Sequence, residues 1–526
     1  MKNKNIILSR LVALFLVISL SSCHDKLDEQ EGQLNTGDLD YTDTKEMITP
    51  LIGAYHEFAT RGWEEPLLLG VRGDDVNAGG LGDQQQFAET DRYNYSRDYW
   101  MYNSLWNVHY NDIINMNTAI LQIENYQEYA EGNDIERGNQ YIAEIMVLRA
   151  WFHFNLARVW EDVFIITSNQ PEAEIEGGPS SKAEVMQFIS EQMDLAIPNL
   201  PDARPNERTD IPGGVTQYTA YAIKALAEQE LENYQAVADA TGEIINSGKF
   251  SLYPDFYQLF KKPGELSDES LLEMQYSDYG SGTGDDAFYG EFDVFGPQNW
   301  TPVRENASSG WGFYEPSIKF IEFMLERDET VRLETSVLFT NRGINELQEA
   351  GNTNLPAFVS NVTPSGDIIN DFPRALFSSG KHYLPSVQLT DQRNRYSAGK
   401  NMIVIRYAEI LLMYAEAVTR GASATAIPAS EAVNMVRERA DLQPVSGVTS
   451  EDVMDEKFAE LAMEWGIRYY DMIRLDNYSE LSYGGRTFTA EDEYLPYPQA
   501  QVDALPLEAT AVDRNTPINK VLSELN

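Results

Sequence analysis

Two kinds of side chain in this chain could do chemistry: one thiol, Cys23, and a set of aromatic rings lying among amides and acids. Residues 63–99 begin with Trp63 and hold Asn77, Asp83, Gln84, Gln85, Gln86, Phe87 and Arg92. Residues 279–311 hold Tyr279, Tyr289, Phe292, Trp300, Arg304, Asn306 and Trp311. A flat ring face gives apolar contact, and an amide or carboxylate beside it gives hydrogen bonds. That combination suits a sugar, whose C–H faces are ringed by hydroxyls. Covering roughly 80 Å² of a Trp face contributes about 2 kcal/mol. The candidate binding residues are Trp63, Asn77, Asp83, Gln84, Gln85, Tyr279, Tyr289, Trp300 and Trp311. Burial under loops competes with this reading for Trp63, Trp300 and Trp311, while Trp100 and Trp106 fall on a helical pattern and read as core.

Catalytic chemistry has less support. Five histidines, His24, His56, His109, His153 and His382, are scattered without metal-ligand spacing. There is no HExxH run and no nucleophile elbow. Gly280-Ser281-Gly282-Thr283-Gly284 lacks the lysine of a phosphate loop and opens onto acids. The acid pairs Asp74-Asp75, Asp285-Asp286 and Glu64-Glu65 are of the kind that hydrolyses glycosides, but 83 acidic residues make such pairs common by chance. Asp285 and Asp286 with Asp293 form the one oxygen set suited to Ca²⁺, a minor alternative, and no metal or cofactor is expected. Arg72-Gly73-Asp74 spells an adhesion tripeptide and is read as coincidence.

Cys23 ends a secretion signal. Lys2, Lys4 and Arg10 form a positive start, residues 11–20 are apolar except Ser19, and Leu20-Ser21-Ser22 precede the thiol. The apolar run is too short to span a membrane, which takes about 20 residues. The stretch resembles a bacterial lipobox, whose cysteine is acylated and becomes the new N-terminus. Residues 1–22 are therefore expected to be removed, and residues 23–41 read as an acidic, flexible tether. Acidic residues directly after the cysteine, such as Asp25, Asp28 and Glu29, resemble the surface-export signal of Bacteroidetes lipoproteins. The formal charge is −44, and loss of Lys2, Lys4 and Arg10 makes it −47. Such a chain repels nucleic acid and anionic surfaces and favours a neutral ligand unless a local basic patch intervenes. With one cysteine, no intrachain disulfide can form.

The elements that must position these residues are mostly helical. Apolar spacing predicts helices over 98–123, 144–160 and 183–197. Helix pairs follow at 216–232 with 235–246 and at 406–419 with 430–440, and a third at 456–475. Ala220, Ala222, Ala225 and Ala227 would allow close packing in a tetratricopeptide-type hairpin. The stretch 144–160 is apolar on most faces and belongs deep in the core, with Arg149 and Arg158 either snorkelling or paired to a neighbouring acid. Helical spacing vanishes in 277–312, and 343–390 is polar with short strand-like runs at most.

The segments LRAWFHFNLARVW (148–160), INSGKFSLYPDFYQLF (245–260), IRYAEILLMYAEAV (405–418), VNMVRERADL (433–442), ELAMEWGIRYYDMIRL (460–475) and YLPYPQAQVD (494–503), in this order, resemble the SusD/RagB family of outer-membrane nutrient-binding lipoproteins. Val163-Phe164-Ile165 departs from the family's usual turn there. The resemblance implies a mainly α fold in which tetratricopeptide-like helix pairs form a scaffold and large irregular loops form a ligand face. It divides the chain into residues 42–270, an N-terminal part with helix pairs, and residues 271–526, a C-terminal part with the loop-rich ligand region 277–390. It implies a non-enzymatic, surface-exposed lipoprotein, held in the outer membrane by a lipid and facing the exterior. That protein would bind an oligo- or polysaccharide and pass it to a SusC-like TonB-dependent transporter. A peptide-binding member of the same family, a secreted glycoside hydrolase and a purely structural lid for the channel are the alternatives.

Overall fold

The structure is a computed structural model that describes residues 39–61, 64–79, 84–276, 294–389 and 399–507. Its principal helices in chain order are α1 (Ile48–Ala59), α2 (Gln85–Asp91), α3 (Trp100–Gln127), α4 (Asn133–Trp160), α5 (Lys182–Ala196), α6 (Gln217–Glu230), α7 (Tyr234–Asn246), α8 (Ile318–Glu326) and α9 (Asn341–Glu349). The C-terminal set is α10 (Tyr407–Thr419), α11 (Ala429–Arg439), α12 (Ser450–Leu461) and α13 (Ile467–Arg474). The fold is thus mainly α, as expected.

Most helices pack on their neighbours in sequence. α3 lies on α4, α4 on α5, α5 on α6 and α6 on α7, and the array continues from α7 to α10, α11 and α12. The reason is legible in the side chains. Ala220, Ala222, Ala225 and Ala227 of α6 are all fully buried, so its backbone can approach α5 and α7 closely. From Val147 to Trp160 every residue of α4 is buried. Helix starts are fixed locally: Ser181 and Thr449 form capping boxes with Glu184 and Asp452. Gly248, at φ +62°, follows α7 and closes its end through its amide on the Ile245 carbonyl.

The third pair, α12 and α13, is broken at Gly466. Its φ is +71°, and a Cβ there would stand 2.1 Å from the Leu69 carbonyl oxygen. Only glycine fits this left-handed corner. Residues 343–349, expected to be irregular, instead belong to α9, whose start is capped by the Thr340 side chain accepting from the Gly343 amide.

Strands are short and occur in four antiparallel pairs among the described residues. They are β1 (Val76–Asn77) with β4 (Glu315–Pro316), β2 (Ser270–Met274) with β8 (Met402–Arg406), β3 (Trp300–Thr301) with β6 (Ile368–Ile369), and β5 (Val337–Phe339) with β7 (Phe377–Ser379).

Arg406 finds its partners far away in sequence. Its guanidinium meets Glu460 at 2.6 Å, Glu464 at 2.7 Å and Glu269 at 2.9 Å. Arg439 and Arg332 also reach Glu460. Glu416 holds Arg420 on its own helix at 3.0 Å, Arg474 at 2.7 Å and Lys457 at 3.1 Å. The C-terminal helices are therefore joined by a buried ion network as well as by apolar packing. Arg158 meets Glu230 at 3.4 Å, as expected, and lies 3.5 Å over the Tyr470 ring. Arg149 differs: it donates to the side-chain oxygens of Asn117 and Gln192 instead of a carboxylate.

The N-terminal segment after α1 is fastened to the C-terminal helices. Arg72 donates to the Tyr470 hydroxyl at 2.9 Å and lies 4.3 Å over the Tyr469 ring. Asp74 pairs with Arg468 at 2.7 Å. Asp75 accepts the Met463 amide at 2.6 Å. The adhesion tripeptide is thus buried and structural.

Candidate ligand-binding cleft

The first aromatic, amide-rich stretch meets residues 313–317, which directly follow the second. β1 carries Asn77 opposite Glu315 of β4, and Val76 opposite Pro316. Phe87 of α2 meets Phe313 edge-on, with ring centroids 6.1 Å apart. The Ser317 amide donates to the Asp75 carbonyl at 2.9 Å. Beside this junction opens a cleft of about 760 Å³.

Its walls come from six parts of the chain. Asn77, Ala78 and Gly79 form one side, and Ala88, Asp91 and Arg92 from the far end of α2 join them. The first turns of α8 contribute Ile318, Lys319 and Glu322. Arg342 of α9 and the loop 373–376, which includes Arg374, form another wall. The last is the turn Tyr483-Gly484-Gly485-Arg486. Gly484 and Gly485 both have positive φ, +56° and +85°, and the Arg486 amide closes on the Tyr483 carbonyl at 2.9 Å. Two left-handed residues at the centre of a tight turn call for glycine. The turn lays the Arg486 guanidinium 4.3 Å over the Tyr483 ring.

A hydrogen-bond chain orients Asn77. Its side-chain oxygen accepts from the Tyr483 hydroxyl at 2.8 Å and from Arg486. That fixes the amide and leaves its NH₂ as a donor. Arg486 also pairs with Asp91, which accepts the Ala78 amide at 2.9 Å. Burial pushes Asp91 up to about 6 despite Arg486. Burial also pushes Glu315 up to about 7, against the backbone amides of Leu376 and Phe377 that favour its ionised form.

Of the candidate residues, Asn77 lines the cleft. Trp311 stands beside it: the ring is 51% exposed, and its carbonyl accepts from Arg374 Nε at 2.9 Å. Arg374 in turn lies 3.7 Å over Phe313. Gln84 and Gln85 sit at the opposite end of α2 from the cleft-lining residues and do not line it. Trp300 is corrected from surface to core. It is 8% exposed, paired in β3 with Ile369 and edge-on to Tyr383. Trp100 moves the other way, at 48% exposed, whereas Trp106 is buried as expected. Cys23, Trp63, Asp83, Tyr279, Tyr289 and the acids Asp285, Asp286 and Asp293 lie outside the described residues.

The sequence reading missed Lys319, Arg342, Arg374, Tyr483 and Arg486. A Gly-Gly turn between a tyrosine and an arginine was the one available signal. The other three cations come from unrelated stretches, and only the tertiary fold collects them.

Asp74, Asp75 and Glu65, the described members of the acid pairs, are engaged elsewhere. Burial would raise Asp74, but Arg468 and Lys319 outweigh it and hold its carboxyl below the usual range. Glu65 is buried against Arg61 at 2.9 Å. Burial drives His153 and His382 down to about 3, so both are neutral structural rings. Among the described residues no group of three or more His, Cys, Asp or Glu side chains is arranged to hold a metal ion. Nor is any described helix long and apolar enough to cross a membrane.

Comparison with known proteins identifies the family. The model of the SusD family matches residues 268–516, and a second, described as starch-binding associating with outer membrane, matches residues 27–276. The chain belongs to the SusD/RagB family. Among SusD-like relatives, protein P2 of Formosa agariphila is 24% identical over 492 residues, covering 89% of this chain and 90% of its own. A SusD-like protein of Bacteroides ovatus is 25% identical over 389 residues, 70% of this chain; the match covers 64% of the relative, just under two thirds of its length. Two solved SusD-type structures superpose with TM-scores of 0.70 at 23% identity. One is a laminarin binding SusD-like protein, covering 87% of this chain and 97% of that one. The other is surface glycan-binding protein A from Bacteroides thetaiotaomicron in complex with laminarihexaose, covering 88% and 97%.

Proposed function

We propose that this SusD/RagB protein is a non-enzymatic glycan receptor that captures an oligo- or polysaccharide in the cleft between β1, α2, α8 and the 483–486 turn. The observation that carries the reading is a cleft lined by residues of the first aromatic, amide-rich stretch, with the exposed Trp311 beside it and the oriented Asn77 amide inside it. A ring platform beside fixed donors is what a saccharide face requires. Solved relatives of the same fold that carry laminarin and laminarihexaose in their names support the ligand class.

The protein is anchored by a lipid on Cys23, stands on the outer membrane facing the exterior, and hands its ligand to a SusC-like TonB-dependent transporter. The lipobox-like run before Cys23 and the description of the matched N-terminal family support this placement. No bond is broken in the ligand: the acid pairs that can be placed are tied into ion pairs and backbone contacts. The test is calorimetric titration of the intact protein against a panel of oligosaccharides, with product analysis on the same samples. Binding without cleavage, weakened by Trp311→Ala, is expected. Cleavage products would establish the hydrolase instead, and binding of peptides but no saccharide would establish the peptide receptor.

A further inference from the structure

Basic residues are outnumbered about two to one in the whole chain, 39 against 83. The cleft inverts that ratio. Arg92, Lys319, Arg342, Arg374 and Arg486 line it, against three acids. Resting on the glycan-receptor reading above, we propose that the cleft selects a saccharide bearing carboxylate or sulfate groups over a neutral one.

Two of the three acids contribute little negative charge toward a ligand. Asp91 is buried and tied to Arg486. Glu315 receives two backbone amides and is held near neutrality by burial. Glu322 accepts from the Asn352 amide at 3.0 Å. The cations, by contrast, include two guanidinium groups at the surface: Arg92, 63% exposed with Glu89 only at 3.8 Å, and Arg342, which reaches the Ala375 carbonyl at 3.1 Å. Arg374 is held flat on Phe313, so its fork is pre-oriented. Planar guanidinium matches a carboxylate or sulfate through two parallel N–H···O bonds, which an ammonium cannot do.

The neutral ligand expected from net charge rested on the field of the whole chain. At physiological salt that field is screened beyond about 8 Å, so the charges lining the cleft decide. Lys319 lies on the cleft wall 5.6 Å over the Tyr483 ring, but its pairing with Asp74 and Glu480 leaves the preference to the arginines.

The experiment is titration of the intact protein with four probes of similar length. These are oligogalacturonate, its fully methyl-esterified form, a sulfated oligosaccharide without uronate, and laminarihexaose as the neutral reference. At least one anionic probe is expected to bind at least about tenfold tighter than the ester and the neutral reference, with the gap closing as salt rises. The arm that binds distinguishes carboxylate from sulfate. Arg342→Gln and Arg92→Gln are expected to abolish the preference, and Arg342→Lys to restore only part of it. Both sites are exposed, so folding should survive and can be checked by the melting point. Equal binding of neutral and anionic probes, with the arginine variants silent, overturns the charge preference. If Trp311→Ala still weakens binding in that case, the glycan receptor stands without it. Binding of none of the four probes overturns both.

Discussion

Trp311 and Trp300 are the sharpest test at the scale of single residues. Trp311→Ala is expected to cost about 2 kcal/mol of saccharide affinity by calorimetry and to leave the melting point nearly unchanged, since an exposed platform is lost. Trp300→Ala is expected to cost about 3–5 kcal/mol of stability by chemical denaturation, since it empties a packed site against Tyr383. A Trp300→Ala protein with wild-type stability would put that ring back at the surface. The sequence did not separate the two. Both lie in polar stretches without helical period, and what distinguishes them is the pairing of β3 with Ile369, a partner 69 residues away. The same limit hid Lys319, Arg342 and Arg374, each of which reads locally as an ordinary solvated charge. Asn77, singled out as an amide within an aromatic stretch, does line the cleft.

At the scale of elements, the helices were largely written in the sequence. Apolar period and glycine stops located the pairs α6–α7 and α10–α11 to within a residue or two of their ends. The break between α12 and α13 and the existence of α9 were not, because the first depends on contact with Leu69 and the second on a cap ahead of a polar run. The ion network joining α10, α11 and α12 leads to a second prediction. Glu460→Gln removes the anion shared by Arg332, Arg406 and Arg439, and is expected to cost about 3–5 kcal/mol in a urea titration, since buried cations lose their partner. A loss below about 1 kcal/mol, typical of exposed pairs, would mean the network is solvated.

The pH dependence follows from the same network. Burial opposes ionisation of Glu460 and Glu416, but the surrounding cations win and hold both at about 2, below the ordinary 4.5. Their stabilisation is complete above about 4.5 and is lost as pH falls toward 2. Asp75 and Asp91, raised to about 6, and Glu315 and Glu409, raised to about 7, act in the opposite sense, all through burial. The native state holds their protons longer, so stability falls as pH rises from about 4 to about 7. The melting temperature is therefore expected to peak on the acid side of neutrality, between the two windows. A melting temperature that climbs steadily from pH 5 to about 8 would show that burial does not raise those four carboxyls.

For the molecule as a whole, Cys23→Ala is expected to abolish lipid attachment and release the protein from membranes, read by fractionation and mass spectrometry. The acyl group is the only anchor proposed, and membrane retention of the variant with a lipid attached would end that reading. One further consequence lies in the fastening of Arg72, Asp74 and Asp75 to residues 463–470, almost 400 positions along the chain. These bonds form only after the two distant ends have met, so the search for the native topology dominates the kinetics. Refolding should be slow, and equilibrium melting should show a single transition, with neither half surviving the loss of the other. A molecule built this way is closed like a clasp: cut in two near residue 270, its fragments should be unfolded apart and regain helical structure when mixed.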